Sequence, residues 1–146
     1  MKHNLARPAI FGGFDGTASL LGVIIFLLLT HPELIFPTAA AGAISAAISM
    51  GSGEFLSDSS RGLAASGVMA AATFTGAILP AVPFAFSTGP AAIATSAVLV
   101  VCIGVTVSLI RPNRGLSLAL AETFALLAAV AAVVVACALT FPGSAA

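Results

Sequence analysis

Charge is what this chain has least of. Of 146 residues, only 7% are Asp, Glu, Lys or Arg, while 60% are hydrophobic and the mean hydropathy is +1.17. A water-soluble domain carries about a quarter of its residues as charges, so this chain has too little polar surface to face water on all sides. Five basic residues balance five acidic ones, and without a basic surface there is no footprint for nucleic acid. Trp and Tyr are absent, which excludes an ordinary aromatic belt and leaves interfacial anchoring to Arg, Lys, Phe and the loops. There are two cysteines, Cys102 and Cys137, both inside apolar runs and with no CxxC spacing. A zinc site and a disulfide within lipid are thereby disfavoured, and both thiols are expected to be buried as small apolar residues. The chain also lacks a His cluster, a paired catalytic motif and a nucleotide loop, so no enzymatic activity and no cofactor are expected.

What remains is an all-α integral membrane protein, one transmembrane domain over residues 1–146. A helix needs about 20 apolar residues to cross the hydrocarbon, and five runs meet that length: about 9–30, 38–57, 63–86, 91–110 and 116–140. Breaks fall at His31 to Pro37, Asp58 to Gly62, Ser87 to Pro90 and the RPNRG loop at Arg111 to Gly115. The first run is long for a signal peptide, is interrupted by a charge and has no small-x-small cleavage site after Thr30, so it reads as a membrane helix. Pro80 and Pro83 are expected to kink or break the third helix near its end.

Orientation follows from the basic residues. With the amino terminus in the cytoplasm, Lys2, Arg7, Arg61, Arg111 and Arg114 all fall inside, and the two outer loops carry no Lys or Arg. This satisfies the positive-inside rule and puts the carboxyl terminus outside.

The acids are then the informative residues. A charge at bilayer depth costs roughly 3 kcal/mol on insertion scales, and chains that keep one usually aim it at an ion, a proton relay or a water-filled path. Asp15 is seven residues beyond Pro8, Glu54 seven before Arg61 and Glu122 eight after Arg114. At 1.5 Å per residue all three lie about 10–12 Å from the cytoplasmic end. Met50 stands four residues before Glu54, on the same helix face. Carboxylates bind hard divalent cations, and a thioether shifts preference towards softer transition metals, so Asp15, Met50, Glu54 and Glu122 form a candidate site for Fe²⁺ or Mn²⁺. Glu122 has the alternatives of snorkelling or pairing with Arg111 or Arg114. Asp58 reads as interfacial, and His31 and Glu33 as solvated loop residues. Gly42, Ser45, Ala46, Ser49 and Gly53 recur at helical spacing on the second helix, a face suited to close helix approach. Gly12, Gly13 and Gly16 around Asp15 could loosen the first helix and free carbonyls for a cation.

These segments also resemble a known family. FDGTASLLGVI is similar to the first-helix motif of the vacuolar iron transporter family, AGAISAAISMGSGEFLSDSS to its second helix with the Ser-Met-Gly step, and GAILPAVPF to its third-helix pattern. The Gly-Glu-aromatic step resembles the short nodulin-like members. The resemblance implies transport of Fe²⁺ or Mn²⁺ in exchange for protons by a homodimer, with Asp15 and Met50 lining the path at the dimer interface and Glu54 supplied by the Gly-Glu step. In a bacterium-like cell this would be export across the plasma membrane, in a eukaryote the loading of a vacuole. Two features depart from the pattern. Only Asp58 to Gly62 join helices two and three, where many members carry a cytoplasmic metal-binding insert, and Gly42 stands where some members have an acid. The alternative function is a non-transporting scaffold or accessory subunit of the same fold, which predicts that Asp15 and Glu54 tolerate amidation without a metal phenotype.

Overall fold

Proline positions explain where the helices begin. Pro8 and Pro37 do not stop a helix; each sits in a first turn, where the missing N–H has no partner to lose. The computed structural model describes residues 5–57, 62–111 and 115–140. Within them α1 spans Ala6–Thr30, α2 Ile35–Ser57, α3 Gly62–Ala81, α4 Pro90–Ile110 and α5 Leu116–Thr140. Helices α1 and α2 thus start about one turn earlier than their apolar runs suggest. All five elements are long and apolar enough to cross a membrane, and no strand occurs among the described residues. Lys2, Asp58, Arg61 and Arg114 lie outside the described residues, so the roles expected of them at the interface have no structural counterpart here.

The short connections make successive helices run in opposite directions. His31 caps α1 through its N–H to the Leu27 carbonyl at 2.8 Å, and Pro32–Leu34 form a single 3-10 turn into α2. Pro80 is inside α3, and the helix gives way at Ala81 to a 3-10 segment, Val82–Ala85, that contains Pro83. The two prolines therefore end the α-helical geometry, as their lost N–H donors dictate.

Helix α3 is the centre of the bundle because its small residues admit backbones on two sides. A Cβ at Gly12 would lie 2.5 Å from the Met69 carbonyl oxygen and 2.8 Å from Thr73 Oγ1, and one at Gly16 would collide with the Thr73 carbonyl. From the opposite helix, a Cβ at Gly76 would collide with the Gly13 carbonyl. The Thr17 hydroxyl sits in this seam, 2.8 Å from the carbonyl of Gly13 and 3.1 Å from that of Gly76. The glycines of α1 therefore serve contact with α3. They do not loosen α1, which is continuous past Asp15.

The small-residue face expected on α2 is placed differently. Ser45, Ser49 and Gly53 are exposed on the outer surface, and a Cβ at Gly53 would meet nothing within 4 Å. The packed face is Ile35, Ala39, Ala43 and Gly51, with Gly51 pressed against Ser66 and Ala70 of α3. Cys102 and Cys137 are likewise exposed on the outer surface and not buried in the bundle. In both cases residues of low polarity are cheap to leave against lipid, which exerts no hydrophobic pressure to bury them.

The apolar core gathers at one end. Leu20 and Ile24 of α1, Ile35 and Ala39 of α2, Ala77 and Ala81 of α3, Phe84 and Ala92 form one buried cluster around the 3-10 turns. The bundle is closed there, and it opens at the other end.

Replacing Gly16 with Ala tests the α1–α3 seam. Overpacking costs about 1–3 kcal/mol, against a helix-propensity gain of up to about 1 kcal/mol. The thermal unfolding midpoint in detergent should fall for Gly16→Ala and stay level or rise for Gly53→Ala. A rise for both would show that the seam does not exist.

Candidate functional site

At the open end lies a cavity of about 640 Å³ to which every helix contributes. Arg7 and Phe14 reach it from α1, Glu54 from α2, Met69 from α3, Val107 from α4 with Arg111 just beyond, and Thr123 from α5. The topology explains the gathering. The amino-terminal ends of α1, α3 and α5 and the carboxyl-terminal ends of α2 and α4 share this side of the bundle, so residues distant in sequence meet. The cavity has apolar walls, two guanidinium groups and one carboxylate. That mixture suits water and ions more than an apolar ligand.

The structure treats the four candidate residues in different ways. Glu54 is half-buried and lines the cavity. Met50, one turn earlier on α2, is half-buried but does not line it. Glu122 is engaged by Arg111, whose Nη2 donates to Oε2 at 2.8 Å. Both side chains are about a quarter to a third exposed (26% and 32%). Asp15 is half-buried in α1, within a membrane-spanning segment, and among the described residues it has no hydrogen bond or ion pair. No group of three or more His, Cys, Asp or Glu side chains that could hold an ion forms among the described residues. Among the described residues Asp15, Glu54 and Glu122 therefore do not form a three-acid cluster.

Polar groups behind the cavity are satisfied by their own bundle. Ser108 Oγ is 2.8 Å from the Gly104 carbonyl and 3.0 Å from Thr123 Oγ1. The Ser108 hydroxyl lies within donating reach of both, and its bond with Thr123 ties α4 to α5. Thr73 similarly donates to the Met69 carbonyl at 2.8 Å. His31 and Glu33, in contrast, form an exposed 3.3 Å pair at the far end, consistent with solvated loop residues.

Sequence reasoning passed over Met69. It stands in the small-residue stretch SGVMAAATFTG and is nearly buried, 6% exposed, yet it lines the cavity together with Glu54. A methionine among small residues was a visible signal, but its helix has no acid to draw attention to it.

Five membrane-length apolar helices around a largely apolar cavity that holds three charged side chains define a multi-pass integral membrane protein. Residues 6–63 match the model of the VIT family, a stretch that takes in α1, α2 and the first residues of α3, and this match supports membership of that family. The family is one of membrane metal-ion transport, and it is not a family of enzymes. No curated protein and no solved structure matches the chain. Asp15, Met50 and Glu54 lie within the matched residues; Glu122 lies outside them.

The contrast between the acids has a measurable consequence. Asp15 is half-buried in a membrane-spanning helix with no compensating partner among the described residues, whereas Glu122 neutralises Arg111. Asp15→Asn should raise the unfolding midpoint of the detergent-purified protein. Glu122→Gln should lower it, by the equivalent of roughly 1 kcal/mol. A midpoint for Asp15→Asn well below the parent would mean that the carboxylate is paired in the assembled protein.

Proposed function

We propose that the protein moves Fe²⁺ or Mn²⁺ out of the cytoplasm in exchange for protons, as a homodimer, with Asp15, Met50 and Glu54 on the path. The observation that carries this reading is Asp15, a carboxylate without a partner among the described residues, inside a membrane-spanning helix and inside the VIT-family match. A family of membrane metal-ion transport supplies a reason to keep such a group, because a passing cation offsets the cost of its charge at the moment of occupancy.

The shape of the bundle supports a direction. The arginine-bearing end is open through the cavity and the opposite end is sealed by the Leu20, Ile24, Ile35 and Phe84 cluster. The positive-inside rule puts the open end in the cytoplasm. In this reading a cation approaches through the cavity, meets Glu54 first, and passes to Asp15 and Met50. Two copies would supply two sets of these residues, which a single chain does not gather into a cluster. Exchange with protons follows from ordinary carboxylate chemistry: desolvation favours the neutral acid, and a nearby divalent cation favours the anion, so one group can hold either a metal or a proton. The ligand set of carboxylate oxygens with a thioether suits Fe²⁺ or Mn²⁺ better than Mg²⁺ or Ca²⁺.

The test is uptake of Fe²⁺ and of Mn²⁺ into proteoliposomes, with and without a pH gradient, for the parent and Asp15→Asn. Gradient-dependent accumulation should be present in the parent and lost in the variant. Folded parent protein that moves neither metal would overturn transport in favour of a scaffold or accessory role. Flux that ignores the pH gradient would overturn proton coupling alone.

A further inference from the structure

The walls of the cavity are unequal. On one side α1 and α3 are locked backbone to backbone through Gly12, Gly16 and Gly76, where not even a methyl group fits. On the other side α4 meets α5 through side chains, Gly104 against Phe124 and Leu127, and at the cavity through polar fastenings: the buried Ser108–Thr123 hydrogen bond and, beyond it, the Arg111–Glu122 pair. Close-packed backbones resist separation because interiors deform discontinuously, whereas a partly exposed ion pair is weakly held and can be exchanged for water. The α4–α5 wall is thus the one built to move.

The pair also sets the charge of the cavity. Arg111 lines it, and Glu122 holds that guanidinium without lining the cavity itself. Arg7 supplies a second guanidinium, and Glu54 the carboxylate. A divalent cation approaching Glu54 therefore has to pass the Arg111 guanidinium for as long as Glu122 holds that side chain on the wall.

We propose that the Arg111–Glu122 pair is the latch of this cavity, holding α4 against α5 and keeping a guanidinium in the route to Glu54, so that its release admits a hydrated divalent cation. Glu122 then acts as a positioning residue and not as a metal ligand. The consequence for flux rests on the transport reading above; the latch itself does not.

The latch can be read without transport. In a background with Cys102 and Cys137 replaced by Ala, Val107→Cys puts a single thiol on the cavity wall, and its rate of modification by a membrane-impermeant methanethiosulfonate reports access. Glu122→Gln and Arg111→Gln should each speed modification about fivefold, the ratio that corresponds to losing roughly 1 kcal/mol of closure. The charge swap Arg111→Glu with Glu122→Arg, and the conservative Arg111→Lys, should return the rate towards that of the parent. Unchanged rates in the single variants, or a swap as fast as they are, would overturn the latch. The same proteins are assayed for Mn²⁺ accumulation in proteoliposomes. Accumulation impaired in the single variants and recovered in the swap supports the positioning role. A swap that restores slow modification but not accumulation would make Glu122 a ligand and overturn that role. Absence of accumulation in the parent, with the modification pattern intact, would overturn the transport reading and leave the latch standing.

Discussion

The approach of α1 to α3 is the constraint on which the rest of the bundle depends. Lipid supplies no hydrophobic drive for two apolar helices to associate, so association rests on van der Waals packing and on interhelical hydrogen bonds. Gly12, Gly16 and Gly76 remove the side chains that would hold the backbones apart, and Thr17 adds a hydroxyl that reaches carbonyls of both helices. With α3 held there, α2 docks through Gly51 against Ser66 and Ala70. The remaining pair approaches α1 at Gly13, which meets Val107, and at Gly22, which meets Val134. The order of tightness is also an order of rigidity. The glycine seam is fixed, and the α4–α5 side is attached to it through ordinary side-chain contacts.

That frame explains where polarity is tolerated. The buried hydroxyls of Thr17, Thr73 and Ser108 are absorbed by carbonyls of the bundle, whereas that of Ser66 on α3 is buried without a hydrogen-bond partner among the described residues. They carry no net charge and need no exit. Charges cannot be absorbed so easily, and they are found where the frame leaves space. Arg7, Glu54 and Arg111 share the open cavity, and Glu122 is neutralised at its wall. The opposite end, filled by Leu20, Ile24, Ile35, Ala77 and Phe84, has no buried charge at all among the described residues.

Much of the fold is legible in the residues because the signals are one-dimensional. Run length, the His31 to Pro37 break, and the pair Pro80 and Pro83 depend on position along the chain, and the helices follow them closely. What fails is the assignment of faces. A small-residue repeat on α2 is as consistent with an outward surface as with a packed one, since lipid penalises neither, and the packed glycine is Gly51 instead of Gly53. The same limit applies to the site. Equal depth for Asp15, Glu54 and Glu122 can be counted from helix rise, but convergence requires rotation about each helix axis, which is set by the glycine seam and by tertiary contacts. Glu122 had two open fates in the sequence, metal and arginine, and only the geometry shows Arg111 at 2.8 Å. Met69 was visible as a methionine but not as a cavity residue, for the complementary reason: nothing in its own helix distinguishes a methionine facing a cavity from one filling a core.

The three acids thus stand in three electrostatic conditions, and each condition constrains what the group can do. A carboxylate already engaged by a guanidinium, as Glu122 is, must give up that partner before it can take a metal, and doing so strands Arg111 beside the incoming charge. A carboxylate on a cavity wall, as Glu54 is, shares its space with the Arg7 and Arg111 guanidinium groups, which an incoming ion must pass. Asp15, without a partner among the described residues, has the most to gain from a cation and the least to lose. An ion moving down this series goes from a hydrated vestibule to a desolvated acid, so each step trades water for protein oxygen. That gradient of desolvation, more than any single coordination shell, is what this arrangement of acids offers to a passing cation.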